Sequence, residues 1–171
     1  MLLSLNRVAV EGIEATAGTH RTGGMEIFGS KHKPPPGAEV PALLEELCDY
    51  VTDNWSTASA IHLAAYVMWR LNWIHPFDDG NGRTARAASY LVLSVHMGYV
   101  LPGGQTIPQQ IAANKNPYYA ALEAADRVFK KIGHIDVSKL EELIDAALAA
   151  QFVEALDKAG GGTQQTGSNK A

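Results

Sequence analysis

The chain has 171 residues, of which 46% are hydrophobic, and its formal net charge is −4. This length suits one domain with a substantial core. Because the net charge is negative, we do not expect general nucleic-acid binding. The single cysteine, Cys48, excludes an intrachain disulfide, and its position among leucines at helical spacing predicts a buried thiol. We find no apolar run of the roughly 20 residues that a membrane span needs and no signal-peptide pattern. We therefore expect a cytoplasmic protein with no membrane contact.

The first forty residues contain little regular periodicity. Residues 7–12 predict one or two helical turns. Residues 18–37 are rich in glycine and proline and contain a strand-like run, Met25-Glu26-Ile27-Phe28, with turn signals on both sides. This pattern predicts a β-hairpin, and the Pro34-Pro35-Pro36-Gly37 stretch closes it because consecutive prolines cannot be helical.

Five longer helices are predicted after residue 40. Their signals are Pro41 at the start of the first, Ser56 or Thr57 as the cap of the second, Gly82 before the third, Pro117 at the start of the fourth, and a Ser138–Glu141 capping box on the fifth. The last helix is expected to end at Gly160, and residues 160–171 to form a flexible tail. We therefore predict an all-α domain over residues 1–159 with one small β-hairpin.

Reactive and charged side chains are concentrated between the second and third of these helices. The segment, residues 75–86, reads His75-Pro76-Phe77-Asp78-Asp79-Gly80-Asn81-Gly82-Arg83-Thr84-Ala85-Arg86. Pro76 disfavours helical geometry at His75, so an imidazole is expected at the exit of the preceding helix. A glycine-containing turn that leads into a helix N-terminus is a ready anion site, because its N–H groups are unpaired and the helix dipole favours negative charge.

The charges of the segment agree with an anion site. Arg83 and Arg86 are three residues apart and share one face of the first helical turn, where cations are unfavourable unless an anion meets them. Asp79 is a hard oxygen ligand of the kind that magnesium prefers beside phosphates, and His75 titrates near neutrality. Each residue alone is more often structural, but the set predicts a polyphosphate and metal site with a general base.

The segment resembles the signature of the Fic family, His-x-Phe-x-(Asp/Glu)-Gly-Asn-Gly-Arg-x-x-Arg, and meets every specified position. The resemblance extends from about residue 7 to about residue 126. Residues 18–36 resemble the family's hairpin flap, and residues 117–126 resemble a helix that borders the nucleotide pocket. The resemblance implies a Fic-like helical fold and a protein adenylyltransferase, which transfers AMP from ATP to a Ser, Thr or Tyr hydroxyl of a target protein.

The same resemblance implies roles for individual residues. His75 would deprotonate the acceptor hydroxyl, which attacks the α-phosphorus while pyrophosphate leaves. Asp79 would hold Mg²⁺ (or Mn²⁺). The phosphates would be bound by Gly80, Asn81, Gly82, Arg83 and Arg86.

Three further elements receive roles from the resemblance. Phe77 would anchor the segment in the core. The strand formed by Met25, Glu26, Ile27 and Phe28 would align a target segment by main-chain pairing. Tyr119 and Asp126 would border the nucleoside.

An N-terminal glutamate suggests regulation. Many Fic proteins carry an inhibitory helix that reads (Ser/Thr)-x-x-x-Glu-(Gly/Asn), and residues 7–12 keep the Glu11-Gly12 pair but have Arg7 at the first position. The hypothesis is that Glu11 pairs with Arg86 and competes with the terminal phosphate of the nucleotide; the alternative is a solvated glutamate. In some relatives this glutamate also supports removal of AMP from targets.

Other functions remain open. The phosphate site does not select the base, so transfer of UMP, GMP or phosphocholine is an alternative. Doc-type kinases carry Lys where this chain has Arg83, which argues against phosphate transfer. A silent toxin or an interaction module is the non-catalytic alternative. The six histidines show no zinc-ligand spacing. The target, possible self-modification and the oligomeric state have no local sequence signal.

Overall fold

The computed structural model describes residues 1–160, which form seven α-helices and a 3-10 turn at Gly37–Glu39. The helices are α1 (Leu2–Ala9), α2 (Val40–Asp53), α3 (Ala60–Ile74), α4 (Asn81–Met97), α5 (Ile107–Ala113), α6 (Asn116–Ile132) and α7 (Ser138–Gly160). The predicted all-α class is confirmed. α5 is an addition, because a helix of seven residues has too few apolar positions to show a period.

The central helix is α3. Ser59 caps it by accepting a hydrogen bond from the His62 N–H at 3.0 Å, and every residue from 63 to 71 is buried. A helix that is apolar on all sides must be surrounded, and α3 contacts α2, α4, α6 and α7. Residues 75–86 begin at the carboxyl end of this most buried helix.

Side chains tie the surrounding helices to α3. The Ser89 hydroxyl of α4 donates to the Ala64 carbonyl at 2.8 Å. His62 contacts the Tyr50 hydroxyl of α2 at 2.9 Å and the Glu141 carboxylate of α7 at 2.5 Å. Glu141 therefore does not form the predicted capping box with Ser138, whose N–H is bound instead by the Asp136 carboxylate at 3.1 Å.

The first helix lies earlier in the chain than predicted. α1 spans Leu2–Ala9 and packs on α4 with Asn6 and Val10 buried. Gly12 has a φ of 74°, which a right-handed helix does not accommodate. Glu11 therefore lies in the turn after α1 rather than on a helix.

The flap (residues 18–37) reverses direction but is not the predicted β-hairpin. No strand is assigned to Met25–Phe28 or elsewhere in residues 1–160. The reversal is a turn in which the Ser30 N–H donates to the Ile27 carbonyl at 3.1 Å. The returning arm does not form a ladder, because its prolines have no N–H to donate and because the His32 N–H donates to the Ser30 hydroxyl at 3.1 Å. The His32 side chain bonds the Trp73 carbonyl of α3 at 2.7 Å.

Two further predictions concern the chain surface and its end. Cys48 is exposed on α2, not buried, because it points away from the buried face formed by Leu44 and Leu47. α7 continues to Gly160, and the rest of the predicted tail lies outside the described residues. Among residues 1–160, no helix is both long and apolar enough to cross a bilayer.

Candidate active site

A cavity of about 380 Å³ lies where the carboxyl end of α3, the first turns of α4, one face of α6 and the flap meet. The predicted site residues that line it are Ile27, Phe28, His75, Gly82, Arg86, Tyr119 and Asp126. A second cavity of about 510 Å³ lies between α6 and α7 and contains none of the predicted site residues. The first cavity therefore gathers residues that are almost a hundred positions apart in the chain.

His75 ends α3 in a left-handed conformation, with φ 52° and ψ 60°. It is the non-glycine residue with positive φ in the described chain, a conformation of the kind that surrounding structure must enforce. Its Nδ1 lies 3.1 Å from the Asn72 carbonyl. Because a carbonyl only accepts, Nδ1 carries the proton and Nε2 keeps its lone pair.

The environment of His75 favours the neutral imidazole. Burial lowers its pKa, the hydrogen bond to the Asn72 carbonyl opposes this effect, and the charges of Arg21 and His32 lower the pKa further. No protein group within residues 1–160 bonds to Nε2. The side chain is therefore ready to accept a proton at neutral pH.

The turn after His75 is held by Asn81. The Asn81 side chain accepts from the Phe77 N–H at 2.9 Å and donates to the Phe77 carbonyl at 2.7 Å. Phe77 is buried, as the resemblance implies. The predicted role of Asn81 changes in one respect: its amide is engaged inside the turn, so its backbone N–H is the group left for a phosphate.

The amino end of α4 has the unpaired N–H groups that the predicted anion site requires. The first intrahelical bond runs from the Thr84 N–H to the Gly80 carbonyl at 2.8 Å, so the N–H groups of Asn81, Gly82 and Arg83 have no helical acceptor. Gly80 has a φ of 78°, and a Cβ there would lie 2.4 Å from Cγ1 of Val10, the residue that follows α1. Only glycine allows α1 to approach the turn this closely.

Asp79 and Arg83 pair with each other beside the cavity. Arg83 donates to Asp79 Oδ2 at 2.9 Å, and Asp79 Oδ1 accepts from the Gly80 N–H at 2.6 Å. Both side chains are partly exposed, and neither lines the cavity. Since each carboxylate oxygen keeps a free lone pair, Asp79 fits a magnesium ion that takes its other ligands from phosphates and water.

Arg86 faces the cavity without a carboxylate partner. The ion pairs of the described chain do not include it, and its guanidinium carbon lies 5.9 Å from the centre of the Tyr118 ring. The Tyr118 hydroxyl is buried and accepts from Asn72 at 2.7 Å, and burial raises its pKa to about 12. Arg86 is thus oriented by a neutral aromatic side chain, and its charge remains for a ligand anion.

Two carboxylates of α6, Glu123 and Asp126, line the cavity. Asp126 Oδ1 accepts from the Trp69 indole at 2.9 Å, and Oδ2 lies 3.9 Å from His32 Nδ1. Burial raises the pKa of Asp126. Tyr119, also on α6, is half exposed, with a relative accessibility of 51%. Asp126 and Tyr119 both line the cavity, and their contact with a nucleoside stays a prediction.

Two residues at the site carry no local sequence signal. His32 reaches the cavity from the returning arm of the flap. Arg21 is buried beneath the flap and bonds the His75 carbonyl at 2.7 Å. Isolated histidine and arginine residues in a glycine-rich loop look like solvated side chains, so only the folded contacts reveal them.

The predicted pair between Glu11 and Arg86 is not formed. Glu11 is exposed in the turn after α1, and the ion pairs within residues 1–160 include neither residue. The reason is the early end of α1, which places Glu11 beyond the helix that packs on α4. The solvated alternative describes Glu11 in this structure.

Comparisons with known proteins agree with the geometry. The Fic/DOC family model matches residues 1–93, which include α1 to α3 and the 75–86 segment. A protein of Aquifex aeolicus named "Probable protein adenylyltransferase" is 29% identical over 133 residues, or 74% of this chain and 38% of its own length. "Protein adenylyltransferase fic-1" of Caenorhabditis elegans is 30% identical over 114 residues, or 64% of this chain and 20% of its own length.

A solved structure shows the same fold. The Fic family protein from Desulfovibrio desulfuricans superposes with a TM-score of 0.73 at 26% identity, over 96% of this chain and 48% of its own. The chain thus spans less than half the length of each of these relatives. The family match covers more than half of the chain and contains the complete 75–86 segment. This chain belongs to the Fic/DOC family.

Proposed function

We propose that this chain transfers AMP from ATP to a hydroxyl side chain of a protein. One observation carries the proposal: an imidazole with an unprotonated Nε2, from His75, lines the same cavity as Gly82 at the start of α4 and Arg86, which has no carboxylate partner within residues 1–160. A base beside a phosphate site is the arrangement that hydroxyl attack on a nucleotide requires. The names of the relatives, which are protein adenylyltransferases, support the same reaction class.

In the proposed reaction the acceptor hydroxyl gives its proton to Nε2 of His75. Its oxygen forms a bond to the α-phosphorus of ATP, and the bond from that phosphorus to the pyrophosphate oxygen breaks. The unpaired N–H groups at the start of α4, together with the Arg86 guanidinium, stabilise the negative charge of the phosphates. Because these donors are fixed before the substrate arrives, little reorganisation is needed during the reaction.

Asp79 is the residue that we propose to hold Mg²⁺ or Mn²⁺. Its carboxylate is anchored by the Gly80 N–H and by Arg83 while remaining partly exposed. A divalent ion bound there would neutralise charge on the phosphates and orient them. Arg83 then holds the carboxylate in place and lies near the outer phosphates.

The flap is the proposed docking site for the target protein. Residues 24–26 belong to no helix or strand and form no main-chain hydrogen bond within the described chain, so their main-chain groups are available to a target segment. Ile27 lines the cavity, and Phe28 is fully exposed. Pairing along Met25–Phe28 would direct an acceptor hydroxyl towards His75. The proposal gives Glu11 no role.

The test uses α-labelled ATP with Mg²⁺ in a lysate, followed by mass spectrometry of modified proteins and of the chain itself. We expect labelling by the unaltered chain and none by His75→Ala, which should retain ATP binding because the phosphate donors are elsewhere. Label from GTP, UTP or a phosphocholine donor, but not from ATP, would refute AMP as the group transferred. ATP binding without transfer from any donor would favour the silent toxin or interaction module.

A further inference from the structure

A buried arginine joins the two arms of the flap to the end of α3. Arg21 is 2% exposed. Its guanidinium donates to the Gly23 carbonyl at 2.6 Å and to the Pro35 carbonyl at 2.6 Å, one on each arm. It also donates to the carbonyls of Ile74 at 3.1 Å and of His75 at 2.7 Å.

This pattern uses the particular chemistry of arginine. The guanidinium is planar and carries five N–H donors but no acceptor, so one side chain can bind carbonyls from three directions. The Ile74 and His75 carbonyls belong to the last turn of α3, whose carbonyls have no intrahelical partner and attract positive charge. The Arg21 backbone N–H adds a bond to the Pro76 carbonyl at 2.9 Å.

We propose that Arg21 is a positioning residue that sets the flap and the general base His75 in one arrangement, so that the same side chain aligns the target segment and the base. The inference rests on the proposed function, which assigns the base to His75 and target alignment to the flap. The five hydrogen bonds leave little freedom for the His75 backbone, whose left-handed conformation must be maintained by its surroundings. Arg21 supplies that restraint from the flap itself.

The charge of Arg21 also acts on His75. Within the described chain, Arg21 has no carboxylate within ion-pair distance, although Asp78 is near enough to affect it. The charged or titratable side chains around His75 are Arg21 and His32 from the flap, Arg86 from α4, and Tyr118, Tyr119, Glu123 and Asp126 from α6. Both flap residues lower the pKa of His75, so Arg21 helps to keep the base unprotonated.

The first experiment needs no enzymatic activity. Histidine-labelled protein is titrated by NMR, with the His75 signal assigned by its loss in His75→Asn, for the unaltered chain, Arg21→Met, Arg21→Lys and Lys33→Met. Lys33 is an exposed cation of the same flap and is the matched control. We expect a raised His75 pKa in Arg21→Met, because a nearby positive charge is lost, and no change in Arg21→Lys or Lys33→Met.

The second measurement is amide hydrogen exchange at Ser30 and His32 of the flap, whose N–H groups donate to the Ile27 carbonyl and to the Ser30 hydroxyl. We expect faster exchange in both Arg21 variants, because neither side chain can bind both arms, and unchanged exchange in Lys33→Met. If Arg21→Met does not fold, the amide exchange of Arg21→Lys tests the proposal by itself. Lower thermal stability combined with unaltered flap exchange and unaltered His75 titration would show a merely structural role and overturn the proposal.

Turnover provides the third measurement where the labelling assay is active. A displacement of about 1 Å costs on the order of 100-fold in rate, so kcat should fall by about that factor in Arg21→Met while ATP affinity is unchanged. The acid limb of the rate profile should move to higher pH in Arg21→Met but not in Arg21→Lys. Unchanged kcat in both folded variants would refute the proposal, whereas labelling that persists in His75→Ala would refute the proposed function instead.

Discussion

The close approach of α1 to the phosphate turn predicts a large effect of Gly80→Ala. A Cβ at Gly80 would lie 2.4 Å from Val10 Cγ1 and 3.1 Å from Asn6 Nδ2. Both neighbours are buried, so neither can move without displacing α1 or the turn. Gly98, at the end of α4, has nearly the same backbone, with φ 80° against 78°, but a Cβ there would meet nothing within 4 Å.

A comparison of Gly80→Ala with Gly98→Ala separates the cost of backbone strain from the cost of a steric clash. A left-handed conformation costs a residue with a Cβ roughly 1–2 kcal/mol, and this cost applies to both substitutions. Overpacking a buried site adds typically about 1–3 kcal/mol, and this applies to Gly80 alone. We therefore expect Gly98→Ala to lower the free energy of unfolding by roughly 1–2 kcal/mol and Gly80→Ala by roughly 2–5 kcal/mol.

Urea denaturation measures the difference in the free energy of unfolding, and calorimetric titration measures ATP–Mg²⁺ affinity. At about 2–4 °C per kcal/mol for a chain of this size, Gly80→Ala should also melt several degrees below Gly98→Ala. Gly80→Ala should weaken ATP binding, because the N–H groups that follow it shift, whereas Gly98→Ala should not. Equal losses of stability in the two variants would refute the reasoning that α1 constrains the turn.

Three further predictions concern the site. Asn81→Ala leaves the N–H and carbonyl of Phe77 without partners, at about 1–3 kcal/mol for each buried group, and urea denaturation should show a loss well above that of a surface substitution. Because the pKa of His75 in the folded chain lies below 6.5, its contribution to stability should be complete above pH 6.5 and decline as the pH falls towards the folded pKa. This decline should be missing in His75→Asn. Identical pH profiles of stability for the two proteins would contradict the prediction. Arg86→Met should weaken ATP binding by about 10- to 100-fold, the value of one charge-assisted hydrogen bond; tight binding by this variant would remove Arg86 from the phosphate site.

Local signals predicted most of the helical framework. α2, α3, α4, α6 and α7 lie within a few residues of their predicted ranges, because their apolar periodicity and their Pro, Ser and Gly boundaries act over a few neighbouring residues. The end of α3 at His75 and the start of α4 beside Gly82 follow from Pro76 and from the glycine turn in the same way. The position of the 75–86 segment between two helices could therefore be predicted from the sequence.

Long-range contacts account for what the sequence did not reveal. The returning arm of the flap bonds α3 through the His32 side chain and forms no ladder with the outgoing arm. Glu141 bonds His62 instead of capping its own helix, and Glu11 is left outside α1. In each case a partner more than forty residues away, or a helix boundary set by packing, replaced the local interaction that the pattern predicted.

The sequence by itself determined the family, the helical class and the chemistry of the 75–86 segment, since a base, a carboxylate, two arginines and a glycine turn within twelve residues need no distant partner to be recognised. Only the tertiary structure decided how these groups are held. Arg21 bonds carbonyls up to 55 residues away, and Gly80 is required by a helix about seventy residues earlier in the chain. Such contacts depend on the packing of α1, α3 and α4 and of the flap, which no local pattern encodes.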